Sequence, residues 1–344
     1  MRRHDTIAKV TTPTDTPEPA RRPTTGEPDS VNHGPMAPDQ RLPPVEPVIR
    51  PLDLDRDLAT LVPLYSSAHP SELVNADRLR HDIAITSETR RLDLVAEVDG
   101  QVRGYAFTHL DTSIDFEGAT IAQVMVEPAH RCRGIGQALA KRLREHWETI
   151  GSKVVVGRVA IEDSLIFAMR QRFAPTSMQR VSRLDLSTPV QVPPVPEGIT
   201  LRTLAESDDY TPVYEVYTVV LNEVYNDGPR TPMPYDTWHT ACAEDPLLDR
   251  ETTVIAFDGD RPVAVSWMAR AGDRLESMLG GVIPEYRGRS LSQLVRAESL
   301  RIARDNGVVE AFTASDQDNA AVFAVNDKLG YEPYIKQYTV MRQL

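Results

Sequence analysis

The 344-residue chain has only two cysteines, Cys132 and Cys242, set far apart. That excludes a disulfide framework and the paired spacing of a zinc site. No apolar run approaches the roughly 18 residues of a membrane span, and the N-terminus lacks the apolar stretch of a secretory signal. These absences read as a cytoplasmic protein with no membrane partner. Basic residues are outnumbered: 38 Lys and Arg stand against 50 Asp and Glu, a net charge of −12. Nucleic acid as a main partner needs a basic footprint, so it is not expected here. An acidic surface suits cationic substrates such as amines, and serves solubility equally well. His130, His146 and His239 show no spacing for a metal or a catalytic triad, so no metal is expected.

What is present is an ordinary globular composition, 41% hydrophobic and 26% charged, at a length that suits two domains. Residues 1–47 hold ten of the 27 prolines and no hydrophobic period, which predicts a disordered tail. A second Pro-rich stretch, 187–198, reads as a linker of extended polyproline geometry. The expected division is therefore a tail at 1–47, domains at 48–186 and 199–344, and a linker between them.

The same order of elements occurs twice. Strands at 48–52 and 199–204 open the two copies. Strands at 92–98 and 253–257 lead into hairpin turns at Asp99-Gly100 and Asp258-Gly259. Return strands follow, and further strands end at Val126-Glu-Pro128 and Val282-Ile-Pro284. Each end is followed by an Arg/Gly-rich turn and an amphipathic helix. Leu139, Leu143 and Trp147 mark the first helix, and Leu291, Leu294 and Val295 the second. A strand, a helix and an aromatic residue close each copy. Arg287 follows Arg131 by 156 positions, and Tyr331 follows Phe173 by 158. Such matched spacing points to duplication.

The first turn carries Arg131, Arg133, Gly134, Ile135, Gly136 and Gln137 between a strand and a helix. Glycine lets the backbone approach a ligand closely, and the helix start adds its positive dipole end. Successive N–H groups can then converge on a pyrophosphate. The second turn carries Arg287, Gly288, Arg289, Ser290, Leu291 and Ser292, with serine in both equivalent glycine positions. Serine keeps its N–H donor but adopts unusual backbone angles less cheaply.

On these residues the chain resembles the GNAT superfamily of acyl-coenzyme A N-acetyltransferases, over nearly everything outside tail and linker. The family signature, (Arg/Gln)-x-x-Gly-x-(Gly/Ala) after Val-x-Pro, is matched by Arg131, Gly134 and Gly136 after Val126, and in modified form after Val282. The tandem arrangement is similar to that of mycothiol synthase-like actinobacterial two-domain acetyltransferases. The resemblance implies an α/β fold of two tandem domains, each a mixed sheet with helices, and acetyl-coenzyme A as co-substrate. It also implies a glutamate base six residues before the Val, which is Glu276 in the second copy and Thr120 in the first. Strict alternation would place Glu276, Met278, Gly280 and Val282 on one strand face. The family's thiolate acid is a tyrosine whose place is taken by Asn326 in the second copy and Ala168 in the first. Tyr334 or Tyr338 could substitute for it. Asn319 stands where the family has a coenzyme-contacting asparagine.

These comparisons point to the second copy as the catalytic one. Its acceptor segment would contain Glu223, Tyr225 and Asp227, with Tyr235, Trp238 and His239 nearby. Acids with aromatics suit an ammonium group, while Trp238 also fits a buried position. The expected activity is acetyl transfer to a primary amine of a small molecule. A protein-lysine acetyltransferase and a non-catalytic acyl-coenzyme A-binding protein are the alternatives. A tRNA-dependent peptidyl transferase, which would favour a more basic surface, ranks last.

Overall fold

The computed structural model describes residues 43–113, 116–224 and 233–344. The N-terminal half runs β1 (Val48–Pro51), α1 (Leu54–Ala68), α2 (Ala76–Ile85), β2 (Leu92–Val98), β3 (Gln101–Leu110), β4 (Ala119–Val126), α3 (Ile135–Ile150), β5 (Val154–Val159), α4 (Glu162–Arg170) and β6 (Ala174–Asp185). The C-terminal half repeats this with β7 (Ile199–Thr203), α5 (Thr211–Val224), α6 (Tyr235–Trp238), β8 (Val254–Asp258), β9 (Arg261–Ala271), β10 (Arg274–Val282), α7 (Leu291–Asp305), β11 (Glu310–Asp316), α8 (Ala320–Leu329) and β12 (Glu332–Gln343).

Local chemistry sets these boundaries. Asp53 caps α1 by accepting from the Asp55 and Arg56 N–H groups, and Asn75 caps α2 through the Arg78 N–H. Helix α3 buries Ile135, Leu139, Leu143 and Trp147 at helical spacing and stops at Gly151, which is left-handed with φ 72°. Asp99 and Gly100 both take positive φ between β2 and β3, as a two-residue hairpin requires. The matching turn in the C-terminal half sits one residue later than expected. There Asp258 stays in its strand opposite Arg261, and both hairpins carry a bulge just before the turn, between Ala96 and Glu97 and between Ala256 and Phe257.

The twelve strands among the described residues form one mixed sheet in the order β1-β2-β3-β4-β5-β12-β6-β11-β10-β9-β8-β7. The last strand of each half is exchanged. β12 pairs with β5 of the N-terminal half, and β6 pairs with β11 of the C-terminal half. Leu184 and Leu186, at the end of β6, accordingly pack with Leu275, Ala297 and Leu300 of the C-terminal half. Residues 187–198 form neither helix nor strand. They are more than a spacer, because Val190 and Val192 pack against the C-terminal core.

Two parallel pairings open into wedges. β4 and β5 pair only over Ala119–Ile121 and Val154–Val156, and β10 and β11 only over Arg274–Ser277 and Glu310–Thr313. Beyond these residues the strands part, which leaves backbone groups on both sides of a slot. Among the described residues, no helix is long and apolar enough to cross a membrane.

Candidate active site at the C-terminal wedge

Both Arg/Gly-rich turns have one backbone shape reached with different residues. In the N-terminal half, Cys132 (φ 60°) and Gly134 (φ 96°) are left-handed; in the C-terminal half, Gly288 (φ 76°) and Ser290 (φ 60°) take the same two places. Glycine has moved from the second position to the first. Ser290 therefore adopts the conformation that glycine holds in the other copy, at a cost of about 1–2 kcal/mol. The turn keeps alternating backbone handedness and delivers its N–H groups at the start of α7, a geometry that fits a pyrophosphate.

The side chains of the two turns are used differently. Arg131 is folded inward, with Nε donating to the Val126 carbonyl at 3.1 Å and Nη2 to the Ser67 carbonyl at 3.2 Å. It fastens β4 to α1. Arg133 donates to the Pro43 carbonyl, and its own carbonyl accepts from the Val45 N–H, so residues 43–45 lie across this turn. Ile135 is buried, Gln137 is exposed, and the Phe167 ring of α4 packs over Gly136 beside Val126. In the C-terminal turn Arg287 and Arg289 are exposed, with Arg289 over the Tyr286 ring, and Leu291 is buried beneath. Ser292 follows in the first turn of α7. Asn319 caps α8, its Oδ1 accepting from the Val322 N–H at 3.1 Å.

The wedges also differ. The β3–β4 ladder is regular, and the Gln123 side-chain amide, with its oxygen and nitrogen exchanged, bridges its wedge by hydrogen bonding both the N–H and the carbonyl of Arg158. β10 instead carries a bulge between Ser277 and Leu279. The bulge corrects the alternation expected from sequence. Leu275 packs against α7. Past the bulge, a Cβ on Gly280 would meet Arg296 of α7, while one on Gly281 would meet Val220 of α5. Val282 therefore shares Gly280's α7 side, and Glu276 faces the opposite side of the sheet. The two lie on opposite faces of one slot.

Glu276 opens onto a cavity of about 290 Å³. Arg274, two residues before it, pairs with Glu310 and the Pro70 carbonyl. The walls come largely from the other half, including Tyr65, Glu72, Leu79, Phe107 and Arg158. The Leu73 N–H donates to Glu276 Oε2 at 3.0 Å. Glu72, one residue earlier, accepts from Tyr65 Oη at 3.0 Å and from Gln337 Nε2 at 2.7 Å, and pairs with Arg158 at 3.4 Å. Burial, then the neighbouring Glu72 charge, pushes the Glu276 carboxyl up to about 7 against the opposing Leu73 N–H. Burial also works to raise Glu72, but Arg158, His69 and Gln337 overcome it and hold that carboxyl well below its usual range. Two neighbouring carboxyls thus differ in proton affinity, one ionised throughout and one poised near neutrality. The equivalent place in the N-terminal half is Thr120, whose hydroxyl is bonded to Ser152 at 2.7 Å.

Several of these groups carry no motif. Glu72, Arg158 and Gln337 lie far from Glu276 in sequence; the loop between α1 and α2 carries Glu72 to it, and the strand exchange sets Gln337 of β12 beside β5. Asn326 is 1% exposed beneath the wedge, its Oδ1 accepting from Arg296 Nη1 at 2.7 Å. Tyr334 is exposed, its ring tilted against that of Phe312. Tyr338 lies in β12 opposite Val159 of the N-terminal half. Of the acceptor candidates, Tyr225 and Asp227 lie outside the described residues, as does the side chain of Glu223 at the end of α5. Trp238 is buried among Tyr214, Tyr217, Tyr235 and Trp267. Among the described residues, no cluster of three metal-ligating side chains occurs.

Known proteins share this fold and its family signatures. The model of the acetyltransferase (GNAT) family matches residues 58–161, and that of an acetyltransferase (GNAT) domain matches residues 196–317. A mycothiol acetyltransferase of Actinosynnema mirum is 28% identical over 241 residues, covering 69% of this chain and 79% of the relative. One from Amycolatopsis mediterranei is 29% identical over 250 residues, covering 69% and 80%. Among solved structures, a tandem GNAT protein from the clavulanic acid biosynthesis pathway superposes with TM-score 0.67 at 21% identity, covering 87% of this chain and 98% of that one. A GCN5-related N-acetyltransferase from Sphaerobacter thermophilus gives 0.66 at 17% identity, covering 88% and 97%. Two family domains in sequence, two wedges and two phosphate-type turns lead to one conclusion: the chain belongs to the GNAT acetyltransferase family, as a tandem member.

Proposed function

We propose that the protein transfers the acetyl group of acetyl-coenzyme A to a primary amine of a small molecule, with the C-terminal wedge as the working site and the N-terminal half as its support. The observation that carries this reading is the Glu276 carboxyl, poised near neutral pH on the acceptor side of an open, bulged wedge. The N-terminal wedge has Thr120 in the place of Glu276, a regular β3–β4 ladder and a glutamine amide across its gap. Acetyl-coenzyme A supplies an activated acyl carbon and a thiolate leaving group. Arg287, Gly288, Arg289, Ser290 and the start of α7 hold the pyrophosphate. Glu276 takes a proton from the incoming ammonium, a role that needs a carboxyl whose affinity lies near the working pH. The amine enters through the cavity shared by both halves. Enclosure by two halves favours a small molecule over a protein lysine, and the relatives' name makes mycothiol-related amines the first acceptors to screen.

Calorimetric titration of acetyl-coenzyme A into the full chain and its Gly134→Glu and Ser290→Glu variants tests the assignment. We expect one binding site, lost in Ser290→Glu and kept in Gly134→Glu. The opposite pattern would move the site to the N-terminal half.

A further inference from the structure

The α7-facing side of the C-terminal wedge contains a buried cation with no anion to match it. Arg296 is 5% exposed. Its Nη1 donates to Asn326 Oδ1 at 2.7 Å, and among the described residues no carboxylate pairs with it. Burying an ion without a counter-charge is costly, so such a group is rarely idle. The guanidinium lies against β10 where the wedge opens, since a Cβ on Gly280 would sit 2.9 Å from Arg296 Nη2. Around it stand buried polar atoms without partners among the described residues: Ser266 Oγ, Ser277 Oγ, Ser299 Oγ, Asn326 Nδ2 and Tyr331 Oη. Ser266 is directly opposite Gly280 in the ladder and so shares its face. Ser277 shares the face of Leu275, and Ser299 is one turn along α7 from Arg296. One cation and several unused polar groups thus converge on one side of the slot, while Glu276 faces the other.

We propose that Arg296 is a catalytic residue whose guanidinium receives the departing sulfur of coenzyme A as a thiolate, with the Asn326 amide beside it. This rests on the coenzyme lying in the C-terminal wedge, as proposed above. As the amine nitrogen bonds to the acyl carbon, the carbon–sulfur bond breaks and its electron pair stays on sulfur. One ammonium proton passes to Glu276 and on to solvent before attack, and the second proton, lost from nitrogen as the amide forms, leaves by the same route. Sulfur needs no proton at that moment, because a fixed positive charge meets it. A residue unable to release a proton, Asn326, is then compatible with turnover.

The test follows the sulfur of bound coenzyme A, by thiolate ultraviolet absorbance across pH, with the full chain and Arg296→Met, Arg296→Lys and Asn326→Asp. The last variant gives Arg296 a carboxylate partner and does not depend on losing the buried arginine. Calorimetry compares coenzyme A with desulfo-coenzyme A. We expect the parent protein to lower the thiol from its usual pKa of about 8.5 by about one to two units. At pH 8 it should favour coenzyme A over the desulfo form by about tenfold or more. Arg296→Lys should keep both effects, and Arg296→Met and Asn326→Asp should lose both. An unchanged thiol titration across all four proteins would overturn the proposal. So would tighter binding to Arg296→Met at every pH, which would make the side chain a plug. Displacement of acetyl-coenzyme A by succinyl-coenzyme A only when Arg296 is present would assign the charge to an acyl carboxylate instead. Absence of binding by both coenzyme A and its desulfo form would remove the underlying site as well.

Discussion

Replacing Glu276 by glutamine should do two opposed things, and pH separates them. The folded protein holds the Glu276 proton up to about pH 7, whereas an unfolded glutamate releases it near 4.3. Because the folded value is raised, the group's contribution to stability is fully present below the unfolded pKa and is lost as pH rises through the folded one. A shift of that size is worth at most about 4 kcal/mol. Glu276 faces a cavity wide enough for water, which reduces the penalty, so about 1–2 kcal/mol is the working figure. Glu276→Gln should therefore match the parent only below about pH 4.3, exceed it slightly near pH 5 and exceed it by about 1–2 kcal/mol at pH 8. Urea denaturation followed by tryptophan fluorescence, repeated from pH 5 to 8, measures the difference. The same variant should lose about 10²–10⁴ in kcat with an amine acceptor, the usual contribution of a general base. Its rate should also lack the inflection near pH 7 that the parent shows. A stability difference that does not change with pH would refute the burial argument. An unchanged pH–rate profile would remove Glu276 from proton transfer.

Other perturbations test the surroundings of this group. Glu72→Gln removes the charge that helps raise Glu276, and should move the pH–rate inflection down by about one unit, read from kcat/KM against pH. Ser290→Gly relieves a left-handed serine and should raise stability by about 0.5–1 kcal/mol; calorimetry should show acetyl-coenzyme A affinity unchanged. Arg78 spans the halves, with Nη1 at 2.5 Å from Asp245 and Nε at 2.9 Å from Asp82. Arg78→Met leaves two carboxylates facing each other and should cost about 3–5 kcal/mol in chemical denaturation.

Much of the architecture was legible because each half repeats the same local signals. Periodic apolar residues in α3 and α7, the Asp99-Gly100 turn and the Val-x-Pro strand ends are short-range patterns, and short-range patterns survive in sequence. The strand exchange was not legible, since β5 and β11 offer equivalent edges to either closing strand and nothing local chooses between them. The face of Glu276 was misplaced for a related reason. One bulged residue in β10 inverts an alternation that sequence can only count through. The carboxylate's partners escaped because Glu72 reaches the site from the opposite half, and its role depends on which loop lies above which strand. Arg296 left only a faint sign, a lone arginine within the buried stripe of α7.

The exchange of β6 and β12 has a consequence for how the molecule can be divided. A protease that cut within residues 187–198 would release neither half, because each fragment would still end in a strand hydrogen-bonded inside the other's sheet. The nicked protein would behave as a two-chain complex, and either gene segment expressed alone would present an incomplete sheet edge. Ancestral copies joined in this way can diverge freely at their wedges and turns, while the two closing strands remain bound to each other's fate.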